Sequence, residues 1–318
     1  MPAHAVEREQ RAGVEIVRLS APGRSSAAIV PAWGGSCVAF HAEATSVLED
    51  VSFEEIAKKP TSYGIPVLFP FPNRIRNRRF TFQGRKFQVD VPQHGFVRDK
   101  RWSEVASGAG DAEGAWVTVA LEARQCASAI LDQFPFPFRI EVTYRLRASA
   151  LELAAVARNT GDATMPVGFG IHPYFRAPDR GTVCVPADAR WELADHLPTG
   201  RLVPVDDRFD LRKPRAIAGL ALDDVYTHVG ARADGGARAT IDDPTLRRRT
   251  AIEFDSRSLP ECVVYTPPAP RRAICVEPQS CPTDAFNLDA RGVDAHVVRL
   301  APDQEARWAI LIRSESMS

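Results

Sequence analysis

The chain has 318 residues, 45% hydrophobic and 25% charged, with 40 basic and 40 acidic side chains and no formal net charge. This is ordinary globular composition, long enough to bury a sizeable core, and its neutrality argues against nucleic acid or an anionic membrane as the main partner. The longest apolar runs, such as "WAILI" at 308–312, fall far short of a membrane-spanning helix.

In chain order, Met1–Gln10 mixes charges of both signs without an apolar segment, so no secretory signal is expected. "SFEEIAKK" (52–59) predicts one short helix. "GIPVLFPFPNRI" (64–75) carries three prolines, which cannot donate to a sheet ladder, so it reads as a sheet edge or rigid loop. It ends by presenting the amide of Asn73 and the guanidinium of Arg74. "RFTFQGRKFQVDV" (79–91) alternates with period two around Gly84 and predicts a hairpin. "QHGFVRDKRW" (93–102) follows, its His94 beside Gly95, which permits a tight turn and the close approach of a ligand.

"RIEVTYRLRA" (139–148) alternates apolar and polar residues and predicts a strand with one wet face, with "LELAAVARN" (151–159) pairing back onto it. "GIHPYF" (170–175) places His172 before a proline, which biases it to extended backbone, and offers Tyr174 and Phe175 as a flat wall. "LDDVYTH" (222–228) reads locally as an exposed acidic turn. "GARADGGARA" (230–239) is the most linker-like stretch, read as a loop within one domain spanning 1–318. "AICVEPQSCPTDAFN" (273–287) sets Glu277 at the end of an apolar strand, where desolvation can raise a carboxyl pKa. "WVTVALEA", "TVCVP", "TAIEF", "CVVYT", "HVVRLAP" and "RWAILIR" add further short strands.

Many short strands, frequent Pro/Gly breaks and no βαβ rhythm predict an all-β antiparallel sandwich or barrel. GxxxxGK[ST], GxGxxG and GxSxG are absent, so phosphate-loop and nucleophile-elbow chemistry lose their basis. The six cysteines form no CxxC pair and are read as reduced, mostly buried thiols of a cytoplasmic protein, with no metal site. Taken singly, His94, His172, Arg74, Asp223 and Glu277 each fit a structural role. Together they supply imidazoles, a guanidinium and carboxylates near aromatic surfaces, a set suited to a polyhydroxylated ligand.

The segments "PVLFPFPNRI", "HGFVRDKRW", "GIHPYF", "LDDVY" and "VEPQSCPTDAFN", in this order, resemble the aldose 1-epimerase (galactose mutarotase-like) family over roughly residues 14–313. The resemblance implies a large antiparallel β-supersandwich with few short helices. It also implies a cofactor-free isomerase with a small-molecule sugar substrate, and a homodimer as an allowed assembly. By motif, Glu277 takes the role of general base and His172 of general acid, with His94 positioning or polarising the ring oxygen. Arg74, Asn73, Asp223 and Tyr174 become substrate-binding. Two departures bear on the sugar: Pro173 and Arg176 around "HPYFRA", and Asp224-Val225 before Tyr226, where galactose-specific members often differ. A free aldose is favoured, while Arg76, Arg78 and Arg98 leave a hexose-6-phosphate 1-epimerase as the alternative, beside a non-catalytic carbohydrate-binding protein and a glycoside hydrolase using Glu277 and Asp223.

Overall fold

In the computed structural model, which describes residues 4–230 and 235–317, about 52% of the chain is strand and 8% helix. The period-two segments become strands where they were expected. Phe138–Arg147 alternates buried and half-exposed side chains along its length and pairs in register with Ala150–Asn159. The hairpin Arg79–Phe82/Arg85–Gln88 turns on Gln83 and Gly84, both at positive φ, as a two-residue turn with the twist of the flanking strands requires. Its Phe80 stacks on Phe87 at 4.9 Å. The expected helix is Phe53–Lys58. Ser52 caps it by accepting from the Glu55 N–H, with Glu54 and Glu55 in its first turn and Lys58 in its last.

Two large antiparallel sheets dominate the described residues. The nine-stranded sheet runs in the order Arg215–Ala216, Thr182–Cys184, Gly236–Asp243, Arg248–Asp255, Glu305–Ser316, Ala150–Asn159, Phe138–Arg147, Gly114–Glu122, Ser103–Gly110. The eight-stranded sheet contains Leu197–Pro204, Ala187–Ala194, Asp223–Val229, Glu261–Tyr265, Ala273–Gln279, Gly170–Ile171 and Val67–Leu68, with Tyr174–Arg176 also pairing to Ala273–Gln279. A five-stranded sheet built from residues 5–46 packs beside the nine-stranded one. One contiguous core joins them: Val142, Tyr144, Ile310 and Ile312 from one large sheet, Val264, Ile274 and Val276 from the other, and Val17 and Phe40 from the third. This is the sandwich expected of the class.

Several elements run against the local reading. "LDDVYTH" is not an acidic turn but the strand Asp223–Val229, paired on both edges. Its two aspartates begin a strand because the neighbours supply the ladder. The edge strand Leu197–Pro204 escapes local reading because its Pro and Gly resemble a loop, which an edge tolerates. Of the linker-like stretch, 231–234 lie outside the described residues, and a strand starts at Gly236.

Alternation in the eight-stranded sheet positions the site. In Ala273–Gln279, Ile274 and Val276 face the core, which leaves Cys275, Glu277 and Gln279 on the opposite face. The register places Tyr265 beside Cys275, Val263 beside Glu277, and Asp223 beside Tyr265. On the other side Gly170 pairs with Gln279 and Tyr174 with Cys275, so the intervening His172 falls opposite Glu277.

Candidate active site

A cavity of about 270 Å³ opens on this face, lined by Asn73, Arg74, His94, Arg98, His172, Tyr174, Asp223, Val263, Tyr265 and Glu277, among others. The seven residues to which the resemblance assigns catalytic or binding roles therefore meet in one place. Glu277 and His172 form its floor, 1% and 7% exposed, with His172 Nε2 3.3 Å from Glu277 Oε1. The other carboxylate oxygen accepts from Gln279 Nε2 at 3.0 Å. Burial holds the Glu277 carboxyl well above the usual carboxylate range, and the Asp223 charge adds to this. Burial, with the nearby Arg98 charge, pushes His172 down to about 3.

His94 meets His172 edge-on, ring centroids 5.3 Å apart. Its Nδ1 accepts from the Asn73 N–H at 3.1 Å, so the neutral ring carries its proton on Nε2. Burial, then the charges of His172, Arg98 and Arg74, hold its pKa well below the usual histidine range. His94 is thus a fixed neutral donor.

The Asn73–Arg76 loop is held through its backbone. His94 N–H donates to Asn73 O, and Asp284 N–H donates to Arg74 O. The buried Asp284 carboxylate accepts from the Arg76 N–H at 2.8 Å. These donors have partners, so a non-regular segment can lie beneath the surface. Gly95 serves this construction: a Cβ there would meet Phe69 O at 2.0 Å, and its φ is +68°. The expected close approach is thus to backbone rather than to ligand. Arg74 reaches the cavity with Nη1 on Asn73 Oδ1 and Nη2 3.9 Å from Asp223 Oδ2.

Two expectations need correction, on Phe175 and on the arginines. Phe175 is no pocket wall; it alternates with Tyr174 along the strand and lies wholly in the core. Tyr174 does line the cavity, but its ring stacks on His172 at 4.6 Å and so supports the imidazole as much as it faces a ligand. Arg76 turns away to Asp284 and Pro198 O, and neither it nor Arg78 lines the cavity; of the three arginines, Arg98 alone does so.

Local sequence misses Tyr265, Val263 and Gln279. Their signal is alternation across "CVVYT" and "ICVEPQ", which becomes informative only with the pairing register. It also misses Cys275, whose Sγ lies within 4.8 Å of donor atoms of His172 and Glu277. Burial drives that thiol far above its usual range, so it stays protonated, a poor metal ligand, and we read it as packing beneath Tyr174 and Tyr265. The six cysteines are free, and four are buried.

A larger groove, about 750 Å³, lies on the nine-stranded sheet among Arg145, Glu152, Glu253 and Arg313. These charges pair across strands, Arg145 with Glu152 and Arg313 with Glu253, and bring no acid–base set together.

Among solved structures, a galactose mutarotase-like protein from Clostridium acetobutylicum superposes with a TM-score of 0.88 at 22% identity, covering 99% of each chain. The galactose 1-epimerase from Lactobacillus acidophilus NCFM superposes at 0.79 with 15% identity, again over 99% of each chain. In sequence, the chain is 26% identical to the uncharacterized protein YihR of Escherichia coli K12, over 70% of this chain and 71% of that one. The aldose 1-epimerase family model matches residues 15–313, nearly the whole chain, and the chain belongs to that family.

Proposed function

We propose that the chain is a cofactor-free aldose 1-epimerase that interconverts the α and β anomers of a free aldohexose by acid–base ring opening and closure. The observation that carries this reading is the buried pair Glu277 and His172, 3.3 Å apart at the floor of a sugar-sized cavity. In opening, Glu277 takes the proton of the C1 hydroxyl while His172 protonates the ring oxygen. The C1–O5 electron pair goes to that oxygen and C1 becomes an aldehyde. Rotation about C1–C2 and closure by the reverse transfers give the other anomer.

The pair shares one proton, and each half-reaction moves it. An ionised pair, carboxylate and imidazolium, matches the cyclic sugar. After opening, the pair is left neutral, carboxylic acid and imidazole, which is the form burial favours. The site is therefore biased toward the ring-opened state, the one that needs stabilisation. His94 donates from Nε2 to the substrate, and Asn73, Arg74 and Asp223 hold hydroxyls, with Tyr174 behind His172. In this reading residues 1–318 work as one unit on a small-molecule sugar, without nucleic acid or membrane, in the cytoplasm, where the free thiols persist; a homodimer is compatible with it.

The test is saturation-transfer NMR between aldose anomers. Exchange above buffer is expected for at least one free hexose, and Glu277→Gln and His172→Asn should each slow it roughly 10²–10⁴-fold. Exchange no faster than buffer across a panel of aldoses and their 6-phosphates ends the proposal. One observation favours the 6-phosphate reading. Arg98 lines the cavity, and its guanidinium has no ion-pair partner among the described residues. Faster exchange of glucose 6-phosphate than of glucose, lost in Arg98→Ala, would establish that reading instead.

A further inference from the structure

The acid of the proposed mechanism is held from outside the cavity. Tyr174, whose ring stacks on His172 at 4.6 Å with 16° between the planes, is itself in contact with Arg271, the guanidinium carbon standing 4.7 Å from the Tyr174 ring centre. The same carbon is 4.4 Å from the ring centre of Tyr63. A cation over an aromatic face is attracted by the negative face of the ring quadrupole, so the guanidinium favours one placement of both rings. Arg271 does not itself line the cavity; its contact runs through Tyr174.

Remote segments build this contact. Arg271 lies in the turn before the strand Ala273–Gln279, its N–H donating to Pro268 O. Its Nε donates to both carboxylate oxygens of Glu49 at 3.0 Å; its Nη2 donates to Glu49 as well, and to Ser62 O at 3.0 Å. Glu49 follows the five-stranded sheet, and its N–H donates to Tyr174 O at 2.8 Å, while the Tyr174 N–H donates to Gly64 O at 2.9 Å. The Arg271 and Glu49 side chains are 23% and 10% exposed. A pair taken this far out of water gains little stability from its own attraction, because desolvation offsets it. A planar fork bonded along two of its edges is better suited to holding a charge in one place.

We propose that Arg271, clamped by Glu49, is a positioning residue for His172: it fixes Tyr174, and through it the plane of the imidazole, and it keeps a positive charge near the proton that this ring gives to the sugar. The proposal rests on the acid role given to His172 above. The ring plane matters because Nε2 must hand its proton over along its own lone-pair direction, and a small misplacement is costly. A positive neighbour makes an imidazolium a stronger acid. Burial and then Arg98 act on His172 in that direction, and Arg271 adds to them. The other groups facing His172 are Glu277, the Cys275 thiol, His94 and Tyr265, while Asp223 and Arg74 act on Glu277. Arg271 itself faces Glu49, Tyr63 and Tyr174. Glu49 and Arg271 thus supply two charges of opposite sign, each removable without altering a side chain that lines the cavity.

Arg271→Met, Arg271→Lys and Glu49→Gln are to be compared with wild type in two ways, between about pH 4 and about pH 10. One is anomer exchange of a hexose. The other is proton–nitrogen correlation NMR of the histidine rings, in which the signals missing from His172→Asn identify His172. Arg271→Met should lower kcat about tenfold while KM stays within about twofold, because no group lining the cavity is lost. It should also raise the pH at which His172 takes up its proton by about 0.5 unit and carry the kcat profile with it. Glu49→Gln leaves the guanidinium charge uncompensated and should move both the other way. Arg271→Lys keeps the charge without the fork, so its profile should stay at the wild-type pH while kcat falls less than in Arg271→Met. Shifts of the same sign in Arg271→Met and Glu49→Gln, or a lower kcat with an unmoved profile, would mean a merely structural role and overturn the proposal. Should Arg271→Met fail to fold, Glu49→Gln still decides, since a structural role produces no downward shift. Should no sugar be exchanged, the epimerase reading fails, whereas the ring spectra still show whether the pair acts on His172.

Discussion

Among the described residues, two glutamate–histidine pairs behave in opposite ways. Glu277 and His172 meet at 3.3 Å, Glu261 and His296 at 3.1 Å. The two glutamates lie on the same face of adjacent strands, and Glu261 pairs in register with Gln279, the residue that holds Glu277. Yet His172 is pushed down by burial, whereas His296 is pulled up by its hydrogen bond to Glu261. The difference lies in surroundings. His296 is 37% exposed, so water supports its charge, and Glu261 also accepts from Trp191 Nε1. His172 is walled by Tyr174 and His94 and has Arg98 nearby, so burial, and then that positive charge, disfavour its protonated form. The same two residue types make a supporting pair beside solvent and, in the proposed mechanism, the proton-transfer pair of the cavity floor.

The largest effect that tests this contrast is on activity. Glu277→Gln is expected to slow anomer exchange roughly 10²–10⁴-fold, while Glu261→Gln stays within about threefold; comparable losses would erase the distinction. Next in size is stability. Glu261→Ala strands the Trp191 N–H and frees His296, and should cost about 1–3 kcal/mol in denaturant unfolding, toward the lower figure because His296 is partly solvated.

Glu277→Gln should do the reverse to stability. The folded chain binds the Glu277 proton more tightly than the unfolded chain, so wild type loses stability as pH rises from the ordinary carboxylate value, 4.5, through the raised one. The variant carries no such penalty. Its melting temperature should exceed that of wild type by a margin that widens from pH 5 to pH 8. The smallest effect concerns His296. Its raised pKa makes its stabilisation complete below pH 6.5 and lost as pH climbs through the raised value. Wild type should therefore exceed His296→Asn by under about 1 kcal/mol at pH 6, and by less at pH 8.5. His172 has the opposite sign, adding stability as pH rises from about 3 to 6.5.

These two pairs also show where sequence reasoning stops. The strand in "AICVE" and the oddity of its glutamate are visible, because alternation and β-branched residues report a strand locally. "CVVYT" is equally visible as a strand. What local sequence withholds is register. Whether Glu277 faces His172 or the core depends on which residue pairs with which, and a shift of one would turn every side chain over. Hence Phe175 reads wrongly as pocket wall and Tyr265 goes unseen. Asp223 is legible as chemistry but not as structure, since two adjacent aspartates disfavour a strand that only their neighbours impose. His296 is hidden for a different reason. It heads the run "HVVRLAP", which reads as strand, but the strand begins only at Val298 and nothing in that run points to Glu261.

The clamp at Asp284 has a kinetic consequence. Its N–H and carboxylate tie down Arg74 and Arg76, the latter across 208 residues of chain. A nascent chain that has reached Leu222 already carries Arg74, His94 and His172 but neither Asp223, Glu277 nor the clamp. Sites whose parts are this remote in sequence form late, because loop closure must be paid before the contacts reward it. Until the C-terminal segment has docked, the loop that presents Arg74 is held on its His94 side alone.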